Sequence, residues 1–392
     1  MREVVIVGMA RTPFGSFQGA LSSFTAPKLG AIAIEAALKR AGVASDQVSE
    51  VIMGNVLQAG EGQAPARQAA IYAGIPKSVP ALTINKVCGS GMKAIMLGAQ
   101  SIMLGDSDVV VAGGMESMTN TPFYVQNARS GFRMGNQNLI DGMINDGLWD
   151  PYNNQHMGNC AELCAKEKNF TREQQDQFAI ESFKRAQAAQ KAGKFAGEIT
   201  PVEIAGKKGD VTKFDTDEGP AKAVFEKIPT LKPVFDKTGS VTAANSSTIN
   251  DGAAAVILMS AEKAKQLGIK PLARIVSYGG NAQEPVWFTT APAEAMKRAM
   301  KKASWDVGSV DLFEVNEAFA LVALAAQREL SIPGEKLNAW GGAISIGHPI
   351  GASGARIVMT LVSQLRDSGK KRGVAGICIG GGEATAICVE TL

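Results

Sequence analysis

Short apolar runs that end in glycine alternate along this chain with longer segments of helical spacing. Val51–Gly54 and Val109–Gly113 have the continuous apolar character of strands that are covered on both faces. Ala26–Ala41 and Gly89–Leu104 carry apolar residues at helical spacing, and a glycine follows each of them. With a first strand over Glu3–Gly8, this alternation predicts an α/β fold for the first 118 residues.

The same alternation returns near the end of the chain. Strands are predicted at Ala253–Met259, Leu272–Ser277, Leu312–Val315 and Val374–Ile379, and helices at Pro292–Lys302, Glu317–Leu330 and Gly354–Asp367. Residues 119–248 differ, because Asn, Gln and Lys are frequent there. They contain one strong helix, Thr171–Ala192 with a capping box, and an expected exposed loop at Lys207–Pro233. We interpret 119–248 as an insertion rather than a separate globular domain.

Two segments share one order of motifs. Cys88–Lys93 contains Ser-Gly before a helix, and the strand that follows ends in Gly113-Gly114. Gly351–Arg356 also contains Ser-Gly before a helix, and its strand is followed by Gly380–Gly382. Many α/β units share such features by chance, yet the matching order favours an internal duplication. A duplicated α/β fold would form a site where its halves meet.

Composition and charge exclude several classes of function. The 40 Lys and Arg residues and 37 Asp and Glu residues give a net charge of +3, which argues against nucleic acid or an anionic membrane as main partner. No apolar run is expected to reach the roughly 18 residues of a membrane span, and no secretory signal is recognisable. The five cysteines form no disulfide framework, so we expect a reducing, cytoplasmic location.

A cysteine and a histidine are the first candidates for chemistry. Cys88 precedes a glycine-rich turn and a helix, whose positive dipole end would favour the thiolate; an inert buried thiol is the alternative. His348 lies between Gly347 and Pro349 at the mouth of a helix, where it could activate a thiol. Cys378 ends an apolar strand before three glycines, a place where α/β proteins build sites.

Other polar residues carry weaker signals. Asn316 and Glu317 follow a predicted strand and could hold a water or a substrate oxygen, although Asn-Glu also begins ordinary helices. His156, Cys160 and Cys164 would share one helix face, but a fourth metal ligand is missing nearby, so packed cysteines are favoured and no metal is predicted. The sequence also lacks a Walker A loop, a Gly-x-Ser-x-Gly elbow and the acid that supports a dinucleotide fingerprint.

Six segments resemble motifs of the thiolase family, in order and over essentially the whole chain. They are Arg11–Phe14, Asn85–Lys93, Gly113–Ser117, Asn316–Phe319, Gly347–Gly351 and Cys378–Gly382. The resemblance implies a duplicated five-layered αβαβα fold with an inserted loop domain. It places the N-terminal domain at residues 1–118 and 249–270, the CoA-binding loop domain at 119–248 and the C-terminal domain at 271–392.

The resemblance also implies a reaction and the residues that perform it. Thiolases move an acyl group between acyl-CoA thioesters through a cysteine, and Cys88 would be that nucleophile. His348 would take the thiol proton, and Cys378 would remove or return the α-proton of the second acyl-CoA. Asn316 would hold a water that forms one oxyanion hole with His348, and the backbone N–H groups of Cys88 and Gly380 would form the other.

The inserted region implies a substrate preference. Gln155–Gly158 resembles the branch of the family that condenses two acetyl-CoA into acetoacetyl-CoA, where His156 and Met157 would close the acyl pocket. The alternatives are an enzyme for longer 3-ketoacyl-CoA chains in β-oxidation and a non-catalytic acyl-CoA-binding protein. Residues that match the lining of the CoA tunnel are Leu148, Phe235, Ser247, Ala318 and Phe319.

One departure concerns the clamp on the nucleotide end of CoA. Well-known thiolases carry an arginine where this chain has Gly219-Pro220, so Lys222 or Lys227 would contact the phosphates instead. Thr289–Pro292 resembles a loop that binds a monovalent cation in some relatives, and CoA is implied only as substrate and product. The implied assembly is a homotetramer.

Overall fold

The computed structural model describes residues 1–206 and 209–392. Its strands are β1 (Val4–Arg11), β2 (Gly15–Ser16), β3 (Glu50–Gly54), β4 (Ala81–Ile84), β5 (Val109–Ser117), β6 (Phe123–Tyr124), β7 (Ile140–Asp141), β8 (Trp149–Asp150), β9 (Gln155–His156), β10 (Val202–Ala205), β11 (Val211–Phe214), β12 (Asn250–Ser260), β13 (Ala273–Ala282), β14 (Leu312–Val315), β15 (Arg372–Ile379) and β16 (Glu383–Thr391). Its helices are α1 (Ala26–Ala41), α2 (Pro65–Tyr72), α3 (Ser90–Leu104), α4 (Met157–Glu167), α5 (Arg172–Lys191), α6 (Ala261–Leu267), α7 (Ala291–Ala303), α8 (Ala320–Leu330), α9 (Ala343–Ile346) and α10 (Ile350–Asp367).

The main sheet contains one strand arrangement twice. Its order is β14-β15-β16-β13-β1-β12-β5-β3-β4, with β2 paired to β12. In the first half, β3 is parallel to β5, β5 antiparallel to β12, and β12 antiparallel to β1. In the second half, β14 is parallel to β15, β15 antiparallel to β16, and β16 antiparallel to β13. The halves join where β1 pairs with β13, and the predicted internal duplication is confirmed.

Helices cover both faces of each half. Helices α1 and α2 pack on the outer face of the first half, α7 and α8 on the outer face of the second, and α3 and α10 lie between them. Strand β5 shows the consequence, because Val109 and Val111 belong to the outer core while Val110 and Ala112 belong to the central one. A strand covered on both faces is apolar throughout. The five-layered αβαβα fold is therefore confirmed, with residues 119–248 inserted between β5 and β12.

Several predicted elements are wrong in part; the predicted helix Gly354–Asp367, for example, begins earlier, as α10 at Ile350. Helix α8 begins at Ala320 rather than Glu317, because the Glu317 carboxylate accepts hydrogen bonds from Ser182 and Asn338 and the preceding segment stays extended. The expected loop at Lys207–Pro233 contains a strand, since β11 pairs with β10 and Phe214 packs onto the outer core of the first half. Lys207 and Lys208 themselves lie outside the described residues.

Helix α3 and the turn before it form an unusually apolar stretch. Val87–Leu104 is long and apolar enough to cross a membrane by length and composition alone, so the expectation that no run reaches this length is wrong. More than half of the stretch is buried inside the fold. Its apolar character is that of a helix enclosed between the two halves of the sheet.

Candidate active site

Cys88 lies in a tight turn immediately before α3. Val87 has a φ of 46°, in the left-handed region that β-branched residues rarely adopt. The Ser90 hydroxyl donates to the Val87 carbonyl at 2.6 Å and accepts the Lys86 N–H at 2.8 Å. The Asn85 side-chain oxygen accepts the Val87 N–H at 2.9 Å. These hydrogen bonds fix a strained backbone at the residue next to the thiol.

Burial controls the protonation of Cys88. It raises the pKa of the thiol to about 11, although hydrogen bonds from the backbone N–H groups of Gly380 and of Cys88 itself lower that pKa. The expectation that the helix terminus favours the thiolate is therefore wrong for the resting protein, because loss of hydration outweighs the nearby N–H groups. The thiol needs a base to become a nucleophile.

The second thiol lies beside the first. Cys378 is buried at the end of β15. This burial raises the pKa of its thiol well above the ordinary value, and the neighbouring Cys88 raises that pKa further. Gly380 continues from this strand end, and a Cβ built on it would lie 3.3 Å from the Met157 sulfur. The structure thus brings Cys88, Cys378, Gly380 and Met157 to one place, where the two halves meet.

His348 is a buried imidazole whose tautomer is set by its neighbours. Its Nδ1 lies 2.6 Å from the Ser353 hydroxyl, which donates its single proton to the Pro349 carbonyl at 2.9 Å. Nδ1 therefore carries a proton and donates it to Ser353. Nε2 is left with a lone pair, and within the described chain it has no hydrogen-bond partner. Burial, together with the charge of Arg356, lowers the pKa of His348 to about 3, so the resting ring is neutral.

The backbone of His348 is anchored as firmly as its ring. Its N–H donates to the side-chain oxygen of Asn250 at 3.0 Å. Gly347 has a φ of 115°, and a Cβ there would lie 2.5 Å from the Asn250 side chain. The side chain of Ile350, two residues after His348, belongs to the apolar cluster that packs against Cys88. The predicted base, His348, therefore lies in a rigid turn next to the apolar cluster that packs against Cys88, the predicted nucleophile.

Asn316 is buried, and its side-chain amide makes no hydrogen bond with the described residues. Its backbone N–H donates to the Gly376 carbonyl at 3.0 Å, which ties it to β15. Neither Nδ2 nor Oδ1 of its side chain has a hydrogen-bond partner among the residues described. Because buried amides are nearly always paired, this one is available to a water or a ligand.

Aromatic side chains enclose the space next to Met157. His156 caps α4 by accepting the Gly158 N–H on Nδ1 at 3.0 Å, and its ring stacks on Phe235 with 4.7 Å between centroids. Phe235 meets Phe319 edge to face at 6.2 Å. The ring of His156, predicted for the acyl pocket, and those of Phe235 and Phe319, predicted for the CoA tunnel, thus form one continuous wall. This use of the His156 ring also separates it from Cys160, whose thiol contacts Asp150 and Gln155.

The remaining tunnel residues fall into two groups. Leu148 packs with Cys88 in one apolar cluster. The Ser247 N–H donates to the Ala318 carbonyl at 2.9 Å. These two contacts lie near the junction of the two halves. Lys222 and Lys227 instead line a separate cavity of about 300 Å³ next to Thr248. Lys222 donates to the Ser16 hydroxyl at 2.6 Å. The structure therefore does not group the two lysines with the thiols.

In the described ranges, 1–206 and 209–392, no cluster of three His, Cys, Asp or Glu side chains is suited to a metal ion. The Thr289 hydroxyl, in the loop before α7, is buried and lies beside Cys164, where its hydrogen bond lowers the pKa of a thiol that burial raises. All five cysteines fall within the same ranges and are free thiols.

Two residues that orient the site were missed from the sequence. Ser353 fixes the His348 tautomer, and its signal was present, because it is the serine of the second Ser-Gly motif just as Ser90 is that of the first. Asn250 holds the His348 backbone across 98 positions of sequence, and no local pattern marks such a contact.

Comparison with known proteins agrees with this geometry. The model of the thiolase N-terminal domain matches residues 4–262, and that of the thiolase C-terminal domain matches residues 269–391. Acetyl-CoA acetyltransferase 2 of Arabidopsis thaliana is 57% identical over 100% of this chain and 98% of its own length. Acetyl-CoA acetyltransferase of Cupriavidus necator is 55% identical over 100% of both chains.

A solved structure shows the same fold. The crystal structure of Acat5 thiolase from Ascaris suum in complex with coenzyme A has a TM-score of 0.94 and 46% identity, and the match covers 100% of both chains. The matches in sequence and structure both extend over the full length. The chain therefore belongs to the thiolase family.

Proposed function

We propose that this protein is an acetyl-CoA C-acetyltransferase, which condenses two acetyl-CoA into acetoacetyl-CoA and CoA and catalyses the reverse thiolysis. The observation that carries the proposal is the pair of thiols, Cys88 and Cys378, beside the Gly380 N–H. Full-length relatives above 50% identity named acetyl-CoA acetyltransferase support the same activity.

In the first half-reaction, Nε2 of His348 takes the Cys88 proton as the sulfur attacks the acetyl-CoA carbonyl. The N–H groups of Cys88 and Gly380 stabilise the developing oxyanion, a contribution of about 3 kcal/mol for one well-placed donor. The carbon–sulfur bond to CoA then breaks, and Cys378 gives its proton to the departing CoA thiolate. The products are acetyl-Cys88, free CoA, a Cys378 thiolate and a protonated His348.

In the second half-reaction, the Cys378 thiolate removes an α-proton from another acetyl-CoA. A water held by Asn316, together with protonated His348, stabilises the enolate oxygen. The α-carbon attacks acetyl-Cys88, and acetoacetyl-CoA forms as the Cys88 sulfur leaves. His348 returns its proton to Cys88, so both thiols and the imidazole regain their resting states.

Chain-length preference follows from the aromatic wall. We assign His156 and Met157 to the closure of the acyl pocket, which favours a short acyl group over the longer 3-ketoacyl chains of β-oxidation, and Phe235 and Phe319 to the adjoining CoA tunnel. Leu148, Ser247 and Ala318 would border the pantetheine arm. Thiolysis rates compared between acetoacetyl-CoA and longer 3-ketoacyl-CoA substrates test this assignment.

We also propose that the phosphates of CoA lie near Lys222 and Lys227, which border a cavity and are exposed. A monovalent cation near Thr289 is supported by the buried hydroxyl of that residue, in a loop that resembles the cation-binding loop of some relatives. A homotetramer is supported by exposed apolar side chains at Phe123, Phe132, Met134 and Leu139. A cytoplasmic location rests on the cysteine pattern and is tested by cell fractionation.

The decisive experiment is intact-mass measurement and peptide mapping after incubation with acetyl-CoA. We expect one acetyl group on Cys88, released as acetoacetyl-CoA when more acetyl-CoA is added and as acetyl-CoA when CoA is added. Cys88→Ala, as control, should remain unmodified and inactive. Folded wild-type protein with an unmodified Cys88, or an active Cys88→Ala variant, would contradict the proposed covalent mechanism.

A further inference from the structure

Glu116 is a buried carboxylate that the proposed reaction does not use. It belongs to the Gly113–Ser117 motif at the end of β5, and its exposed fraction is 0%. A buried carboxylate is costly unless hydrogen bonds or a positive charge compensate for the lost hydration. Its contacts therefore indicate what the residue holds in place.

Hydrogen bonds connect this carboxylate to both halves of the molecule. Oε1 accepts from the Leu57 N–H and from the Asn55 side-chain amide, each at 3.0 Å. Oε2 accepts from the Val56 N–H at 3.1 Å and from the Gly351 N–H at 2.8 Å. Asn55, Val56 and Leu57 follow β3 in the first half, whereas Gly351 lies in the first turn of α10 in the second.

The backbone segments that Glu116 binds carry apolar side chains that pack against Cys88, and we call these side chains the Cys88 wall. Val56, Leu57 and Ile350 belong to one apolar cluster, against which Cys88 and Leu148 pack. Ile350 directly precedes Gly351, and both follow the His348 turn. The Glu116 carboxylate therefore sets the distance between the Cys88 wall and the turn that carries His348.

Two glycines allow this close approach. A Cβ on Gly351 would lie 2.7 Å from the Glu116 Oε2 and 2.7 Å from the Met115 carbonyl. A Cβ on Gly114 would overlap the Gly351 carbonyl. The glycines of the β5 motif and of the His348 turn thus let the carboxylate reach a backbone N–H of the other half.

We infer that Glu116 is a positioning residue for acyl transfer, holding the Cys88 wall and the His348 turn together across the junction of the two halves. It acts through the backbone of its neighbours and does not touch the substrate. The inference rests on the proposed function, because it concerns the rate at which Cys88 becomes acetylated.

The test compares single-turnover acetylation of Cys88 in the wild-type protein, Glu116→Gln and Glu198→Gln. Glutamine keeps the size but places an NH₂ donor against backbone N–H donors, so one segment is displaced. We expect acetylation to slow by on the order of 10²-fold, the cost of a small misplacement of reacting groups. The KM for acetyl-CoA should change little, since Glu116 does not contact it.

Glu198→Gln is the matched control for buried charge. Glu198 is equally buried, but its partners are Arg11 and Thr360 rather than the Cys88 wall. We expect this control to lower thermal stability while acetylation stays within about twofold of wild type. Equal slowing in both variants would overturn the inference, because it would indicate general destabilisation.

A pH profile supplies a readout that a purely structural role would not change. Burial raises the pKa of Glu116 to about 7, so protonation at lower pH turns an acceptor into a donor and should slow acetylation. The titratable groups that face it are Cys88 and Glu61, and burial raises the pKa of Glu61 to about 8. Glu116→Gln should lose the fall in rate below about pH 7, whereas Glu61→Gln should keep it.

Failure of the inference is distinguishable from failure of the proposed function. Wild-type protein that never acetylates Cys88 contradicts the function itself. Wild-type protein that acetylates normally, beside a Glu116→Gln variant with the same rate and pH profile, contradicts only the positioning role.

Discussion

The two Ser-Gly turns of this duplicated fold use the same serine for different tasks. In the first half, Ser90 donates to Val87 and accepts a backbone N–H from Lys86, so it shapes the main chain before α3. In the second half, Ser353 donates to Pro349 and accepts from the ring of His348, so it orients a side chain before α10. One inherited hydrogen-bonding position thus supports the proposed nucleophile in one half and the proposed base in the other.

The strand that follows each turn differs in the same way. Strand β5 carries Glu116 near its end, and this carboxylate reaches the Gly351 N–H of the other half. Strand β15 ends beside Cys378, next to the Gly380 N–H that bonds to the Cys88 thiol. The comparison teaches that the two strand ends diverged: β5 carries a carboxylate that binds a backbone N–H of the other half, whereas β15 carries a second thiol beside Cys88.

The largest effect is expected from removing the base. His348→Asn keeps a polar side chain of similar reach but has no group that accepts the Cys88 proton at neutral pH. Because positioned proton transfer contributes about 10²–10⁴-fold, acetylation of Cys88 should slow by about 10³-fold. Rapid-quench mass spectrometry measures the rate, and circular dichroism checks the fold. A loss below tenfold in a folded variant would assign the base to another group.

Loss of Ser353 and loss of Ser90 should have different effects, the first on the rate of acetylation and the second on the free energy of unfolding. Ser353→Ala frees Nδ1 of His348, so the wrong tautomer becomes accessible and acetylation should slow by about 10²-fold. Ser90→Ala leaves the Lys86 N–H without its acceptor and should lower the free energy of unfolding by about 1–3 kcal/mol. Urea unfolding and single-turnover acetylation on both variants test the contrast. Equal rates of acetylation in the two would remove the proposed division of tasks.

The smallest effect concerns the resting thiol. With a Cys88 pKa raised to about 11 and a His348 pKa lowered to about 3, both groups are neutral between these values. Thiolate forms only as pH rises toward its pKa, so alkylation of Cys88 by iodoacetamide should increase about tenfold per pH unit above neutrality. Cys88→Ala supplies the background. A plateau of high reactivity across roughly pH 5 to 8 would instead indicate a resting thiolate–imidazolium pair.

The main strands and helices were predictable because local patterns of apolar residues determine them. Helix α1 begins and ends at the predicted residues, where apolar spacing is regular and Gly42 adopts a φ of 65°. Leu312–Val315 was likewise predicted as β14, since a strand covered on both faces forms an unbroken apolar run. The extended segment before α8 was not, because Glu317 is held by residues far away in sequence.

The candidate site was predictable in its residues but not in its electrostatics. Cys88 and His348 stand out because glycines flank them, and flanking glycines mark turns rather than packed core. The direction of the Cys88 pKa shift was missed, since burial depends on how the halves close and no local pattern reports it. The domain boundaries and the roles of the site residues stay predictions until the experiments above are done.

The junction of the two halves has a consequence for synthesis of the chain. A ribosome delivers Cys88 long before His348 and the Gly380 N–H, which lie near the far end of the sequence. Until the last strands join the sheet, the thiol has neither the proposed base, His348, nor the N–H group of Gly380 beside it. A nascent or truncated chain therefore lacks the groups proposed to catalyse acyl transfer at Cys88, and completion of folding is the step that supplies them.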